Sequence, residues 1–390
     1  MDRVNRFDVA VVGLGAMGSA TLYQLAKRGI NAVGIDQYSP PHTFGSTHGE
    51  TRLTRCAIGE GHQYAPLAMR SHEIWRELFN ETGEKLLHET GALMIESSGS
   101  KGDVHGSANF LNTTISAATK FGIEHEVLTG ADALRRFPAF NIGDADKAYF
   151  EPGAGYLKVE ECVEVQLDRA KELGATLLSN TKVHAITHHV DHVAIELGNE
   201  TVRADKLAVC AGPWVKELLG PPYEDLLTTT RQVLHWYPIE PTAHKDWKNH
   251  PVFIWVHGDG DGFYGLPSLA DPTLIKVANA NYGQPCRPED IDRQVNEAEQ
   301  TEMFDLHLAG RLNGVAARTA KSVTCIYTVT PDSDFIIDWH PEHQNTFVVS
   351  ACSGHGFKHS AAIGEAVAQQ LISNSSEIDL SAFKLSRFER

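Results

Sequence analysis

The chain is 390 residues long, with 42% hydrophobic and 22% charged residues and a formal net charge of −16. That length suits two domains or one large discontinuous domain, and the composition is that of an ordinary soluble globular protein. The acidic balance argues against a nucleic-acid partner, because affinity for a phosphate backbone rests on clustered basic charge. The six cysteines (Cys56, Cys162, Cys210, Cys286, Cys325 and Cys352) are scattered, with no Cys-x-x-Cys pair. This speaks against a disulfide framework and against a zinc site. Charges among the first eight residues do not read as a signal peptide, and the apolar runs fall far short of a membrane span. A cytoplasmic protein with neither a metal nor a membrane partner is the expectation.

In chain order, the pattern predicts a strand over 7–12, a helix over 16–28 and a strand over 32–36. The segment from Tyr38 to Arg52 is rich in Pro, Gly, Ser and His, which rules out regular structure over much of its length, and long loops in compact domains tend to carry function. Helical spacing over 64–80 puts Leu67, Met69, Ile74, Trp75 and Leu78 on one side. A short strand at 92–95 and helices near 108–121 and 130–136 follow. Next come a helix over 158–173 and strands near 176–188, 192–198 and 200–210, the last ending at Gly212. From about 224 to 280, β-rich runs alternate with turns such as Gly258-Asp259-Gly260-Asp261-Gly262, and 288–311 reads as more helical. A closing strand over 346–351 leads through Gly354-His355-Gly356 into a helix over 359–372. Nucleotide-binding signals therefore sit at both ends, with β-rich material between. This predicts an α/β fold: a Rossmann-like dinucleotide-binding domain from 1–83, 150–220 and 320–390, with a mixed β-sheet substrate domain inserted as 84–149 and 221–319.

Three stretches carry chemistry. Gly13-Leu14-Gly15-Ala16-Met17-Gly18 follows a strand and opens a helix, and Asp36 ends the next strand. This is the dinucleotide fingerprint in its βαβ setting: the glycines allow a tight turn and close backbone approach to a pyrophosphate, and the acid can accept ribose hydroxyls. By itself the fingerprint leaves NAD and FAD both open. Arg52 and Arg55 stand at the end of the Gly45-to-Arg52 loop. Such a pair is often plain surface charge, but guanidinium groups beside a glycine-rich loop also suit carboxylates and phosphates. Ser353-Gly354-His355-Gly356-Phe357-Lys358 again sets small residues before a helix, with a lysine attached. A flavin offers a reason for that cation, because the reduced ring carries negative charge. Cys325, in the β-patterned run Val323–Thr328, reads by composition as core.

Read together, these stretches resemble the family of monomeric sarcosine oxidase and N-methyltryptophan oxidase. The resemblance is carried by Pro40-Pro41-His42 through Arg55, Gly59-Glu60-Gly61, Cys325-Ile326-Tyr327, Asp334-Phe335-Ile336-Ile337-Asp338 and Ser353 through Lys358, and it runs over essentially the whole chain. It implies a flavoenzyme with a glutathione-reductase/D-amino-acid-oxidase type FAD domain that oxidises the C–N bond of a secondary amino acid to an imine and reduces O2 to hydrogen peroxide. It also implies FAD attached through a thioether to Cys325, which reverses the compositional reading of that residue. Gly13, Gly15, Gly18, Asp36, Ser46, Thr51, Arg52, Val183, Gly212, Cys325, Gly354, Gly356 and Lys358 fall to the cofactor. Arg55 and Lys358 would hold the substrate carboxylate, Tyr264 and Tyr327 flank the amine, and Lys276 stands beside the flavin to activate oxygen. A monomer whose partners are a small secondary amino acid and O2 is expected.

The match has departures. Ala280 replaces the family's active-site histidine, Ile58 a tyrosine and Thr47 a second histidine. Those changes would enlarge or dry the pocket and leave room for a bulkier or cyclic substrate such as a pipecolate- or proline-like acid. Two rivals remain: a dehydrogenase that passes the same electrons to a protein or quinone, and a catalytically silent flavin-binding protein.

Overall fold

The computed structural model describes residues 5–102, 104, 106–258 and 261–388. Asp259 and Gly260, in the turn expected at 258–262, lie outside the described residues. Val9, Ala10, Val11 and Val12 are buried on both faces of the opening strand Asn5–Val12, the pattern of a strand inside a parallel sheet. It pairs in parallel with Ala32–Ile35 on one side and with Thr201–Val209 on the other. Thr176–Leu178 and Thr346–Ser350 extend this sheet, also in parallel, and antiparallel strands complete its eight. Helix Ala16–Lys27 packs on it with helices Val159–Glu172 and Ser360–Ser373. The contact with the last of these is close because Gly364 faces Ala20: a Cβ on Gly364 would lie 2.4 Å from that of Ala20.

A second eight-stranded sheet runs in the order 321–329, 228–238, 274–279, 261–267, 252–257, 92–96, 147–151, 126–129. It is antiparallel except where Val252–His257 meets Ala92–Glu96. Its buried aromatic core includes Phe140, Trp247, Phe253, Trp255 and Phe263. A small third sheet joins Thr51–Thr54 to Gly155–Lys158 and Leu87–His88.

The long elements lie close to their expected positions; the differences are informative. Only Glu297–Met303 is α-helical in the segment read as helical over 288–311, and a π-helical turn, Phe304–Leu308, follows it. Residues before Asn296 stay irregular because the Arg231 guanidinium takes the carbonyls of Asp292 (2.7 Å) and Gln294 (2.7 Å), which a helix would have needed. Asn296 then starts the helix through a capping box with Glu299. Lys321–Val329 was expected in the cofactor domain, yet it is hydrogen-bonded along its length to Thr228–Pro238 of the second sheet. Lys147–Glu151, which straddles the expected boundary between 149 and 150, pairs along its length with Ala92–Glu96 of that sheet. Local pattern shows that a segment is a strand but not which sheet it joins.

The turn after the first strand has no room for a side chain at Gly18, where a Cβ would lie 1.7 Å from the carbonyl oxygen of Gly13. Gly18→Ala is expected to destabilise the protein by about 1–3 kcal/mol, as overpacking does. Gly153→Ala, at a glycine with nothing within 4 Å of the added Cβ, is expected to leave the thermal midpoint unchanged. Equal midpoints for both variants in scanning calorimetry would show that the first helix can lift off its turn.

Candidate active site

A cavity of about 420 Å³ opens at the carboxyl end of the first parallel sheet and runs toward the second. Gly13, Gly15, Asp36, Ser46, Arg52, Arg55, Val183, Gly212, Tyr264, Tyr327, Gly354, Gly356 and Lys358 all line it. At the nucleotide end, Gly13 has φ +87°, and a Cβ there would lie 2.5 Å from the carbonyl oxygen of Cys210. Gly15 caps the first helix without any side-chain cap, so the helix N-terminus is presented to the cavity. Thr47 Oγ1 accepts from the Ala16 amide (3.3 Å). The Asp36 carboxylate accepts from the amides of Leu14 (2.7 Å) and Tyr38 (2.8 Å), which fixes it at the end of its strand.

At the other end, charge is concentrated out of water. Arg55 is 2% exposed, and its Nη2 donates to Glu60 Oε2 at 2.6 Å. Lys358, 4% exposed, reaches the other oxygen of Glu60 at 3.3 Å and donates to the His355 carbonyl at 2.8 Å. Two cations thus share one carboxylate. Burial pushes the Lys358 ammonium down to about 8, with Glu60 opposing the shift and Arg55 reinforcing it. Glu151 sets the segment's backbone: its carboxylate accepts from the amides of Cys56 (2.7 Å) and Ala57 (3.2 Å), immediately after Arg55.

Between these ends lies Arg52, whose Nη2 donates to the Ser46 carbonyl (3.0 Å) and lies 3.8 Å from Cys325 Sγ. Burial pushes the Cys325 thiol up, and the Arg52 guanidinium pulls it back. The hydroxyls of Tyr264 and Tyr327 lie 3.5 Å apart. Lys276 is fully buried. Its Nζ donates to the carbonyls of Gly49 (2.7 Å) and Thr51 (2.5 Å), and burial, then Arg52, holds it well below the ordinary ammonium value.

Four of the expected site residues do not line the cavity. Gly18 is packed beneath the turn, Thr51 and Lys276 lie behind Arg52, and Cys325 is 1% exposed beside it. Ile58, read as enlarging the pocket, is fully buried in the core with Tyr64, Leu67 and Trp75 and contributes no surface to the cavity. Thr47 does line the cavity, whereas Ala280 does not. Glu60 and His355 were within quoted stretches but received no role. Their signal was weak: an acid five residues after an arginine and a histidine between two glycines are common in loops.

The residues present fit a flavin dinucleotide. Ser46 Oγ, in the lining, is buried without a hydrogen-bond partner among the described residues, and Gly13 and Gly15 bring the backbone of the turn to the cavity wall with no side chain between. A glycine turn beneath a helix N-terminus, an acid at the next strand end and a buried cationic cluster define a dinucleotide-dependent oxidoreductase. Residues 8–370 match the model of the FAD-dependent oxidoreductases. The chain is 37% identical to monomeric sarcosine oxidase of Bacillus sp. (strain NS-129) over 383 residues, covering 98% of this chain and 97% of that one. It is 34% identical to N-methyl-L-tryptophan oxidase of Yersinia pestis (strain Pestoides F) over 386 residues, covering 98% and 99%. Among solved structures, the open form of NikD, an unusual amino acid oxidase essential for nikkomycin biosynthesis, superposes with a TM-score of 0.82 at 21% identity over 97% of each chain. The chain belongs to the FAD-dependent oxidoreductase family, in the group of the monomeric sarcosine and N-methyltryptophan oxidases, and it is an FAD-dependent enzyme.

The depressed Lys358 value has a measurable consequence. Below pH about 8 the lysine is charged and attracts an anion; above it the attraction fades. Binding of propionate, followed by flavin absorbance, is expected to weaken as pH rises through about 8, by at most about tenfold per pH unit. Lys358→Met is expected to remove that slope. A flat affinity in the wild type would mean that Lys358 does not titrate in this range.

Proposed function

We propose that the protein oxidises the C–N bond of a secondary α-amino acid, whether N-methyl, N-alkyl or cyclic, to an imine and reduces O2 to hydrogen peroxide. The observation that carries this reading is the buried Arg55–Glu60–Lys358 cluster, where two cations meet one carboxylate beside the cavity. With Lys358 protonated, such a cluster is one negative charge short of neutral. A substrate carboxylate supplies that charge, while a substrate amine bound as the neutral base adds none. FAD, when bound, supplies the acceptor for the electron pair of the C–N oxidation. Arg55 and Lys358 hold the carboxylate and so orient the substrate, and Tyr264 and Tyr327 border the amine. Cys325 would hold the flavin covalently, with Arg52 beside its sulfur favouring the thiolate. Lys276, in its protonated form, would supply positive charge from behind Arg52 to the reaction of the flavin with oxygen. The enzyme acts as a cytoplasmic monomer; no helix among the described residues is long and apolar enough to cross a membrane.

One observation favours the dehydrogenase reading. Lys276 is held back from the cavity by two backbone carbonyls, and its surroundings disfavour its charge.

A panel of secondary amino acids mixed anaerobically with the holoenzyme tests the main reading, with bleaching of the flavin expected for at least one acid and not for its amide. Bleaching by primary amines or hydroxy acids alone would overturn it. Acid-precipitated protein is expected to stay yellow in the wild type and to lose its colour in Cys325→Ala; a colourless wild-type pellet would refute covalent attachment. Lys276→Met is expected to slow flavin reoxidation by O2 by orders of magnitude while sparing reduction by substrate, as measured by stopped flow. Equal slowing of both half-reactions would make Lys276 a structural residue. Sluggish reoxidation of the wild type would favour the dehydrogenase.

A further inference from the structure

Oxidation at the C–N bond needs the nitrogen lone pair, yet a secondary amino acid arrives at neutral pH protonated, with a pKa of about 10 like other alkylammonium groups. Its proton must pass to an acceptor. Burial pushes both Tyr264 and Tyr327 toward keeping their own protons, and Arg55 and Lys358 in their charged forms are donors only. His355 is different. The residue is part of the cavity lining, and its Nε2 lies 3.1 Å from the carbonyl oxygen of Ser333. A carbonyl can only accept, so Nε2 carries the hydrogen and Nδ1 is the accepting nitrogen of the neutral ring.

Nδ1 lies 4.0 Å from Glu60 Oε1, the oxygen that Lys358 also reaches. A substrate carboxylate that engages Lys358 beside that oxygen would carry its α-amine, one carbon away, toward Nδ1. The ring is held in place by Phe335, stacked at 4.7 Å between centroids, and by Tyr64, edge-on at 5.0 Å. Among the described residues, the charged and titratable groups near it include Glu60, which favours an imidazolium, and Lys358, His359 and, beyond Glu60, Arg55, which oppose one when charged. Asp334, bonded to Tyr64, adds negative charge behind the ring.

We propose that His355 is the proton acceptor for the substrate ammonium. The substrate N–H bond breaks, an Nδ1–H bond forms, the electron pair stays on the substrate nitrogen, and Glu60 is the carboxylate nearest the imidazolium. This inference rests on the oxidation of a secondary amino acid proposed above.

The test is anaerobic stopped-flow reduction of the holoenzyme by saturating sarcosine or L-pipecolate, whichever bleaches faster, over a range from about pH 6 to 10. In the wild type, the rate is expected to reach its plateau well below the ammonium's own pKa. In His355→Gln, whose amide can still donate to Ser333, the limb is expected to move up to about pH 10, with a loss of about tenfold for each pH unit below it. Propionate binding reports whether the site is intact. An unchanged pH limb with normal propionate binding would overturn the proposal. Should His355→Gln fail to hold flavin, Glu60→Gln decides: losing the counter-charge is expected to shift the wild-type limb to lower pH, and an unmoved limb would refute the role. If neither amine bleaches the wild type but other compounds do, the proposed function fails, and this inference fails with it.

Discussion

Three buried charges, Arg55, Glu60 and Lys358, set the terms for the rest of this molecule. Removing ions from water costs several kcal/mol each, and the cost is offset only by close pairing and hydrogen bonds. The protein meets that requirement with elements from opposite ends of the chain. Arg55 follows the strand Thr51–Thr54, and Lys358 follows the last strand of the parallel sheet. The Ala57 and His355 carbonyls take one further bond from each cation. In a chain with a net charge of −16, a local surplus of positive charge is a deliberate placement, and it draws an anion to one end of the cavity.

The second sheet completes the site. Its strand Leu274–Asn279 brings Lys276 against the carbonyls of Gly49 and Thr51, and Lys321–Val329 brings Cys325 against Arg52. The loop that begins as a glycine-rich run after the nucleotide fold is thus clamped from its far side by the second sheet. Arg52 is the hinge of this arrangement, touching the Ser46 carbonyl, the Thr51 carbonyl and the Cys325 sulfur at once. Redox chemistry on a flavin needs such rigidity, because reactivity falls steeply with small misplacements of the reacting atoms.

The departures from the family pattern have unequal weight in three dimensions. Ile58 is part of the core and gives no surface to the cavity. Thr47 keeps a place on the cavity wall and supports the helix N-terminus through the Ala16 amide. Tyr264, Tyr327, Glu60 and His355 also line the cavity, and the last two drew no attention as isolated residues.

The sequence by itself determined the nucleotide fold. Glycine spacing, the acid at the end of the second strand and apolar runs with period are local signals, and each follows from what a single turn or strand must satisfy. The same holds for the helices 65–82, 159–172 and 360–373, whose patterns are self-contained. What only the tertiary structure decided was pairing. No local rule assigns Lys321–Val329 to the second sheet, stops a helix before Asn296 because Arg231 takes its carbonyls, or sets Glu60 between Arg55 and Lys358. Those outcomes depend on groups up to hundreds of residues apart competing for the same hydrogen bonds and the same buried space, and that competition is resolved only when the chain is folded.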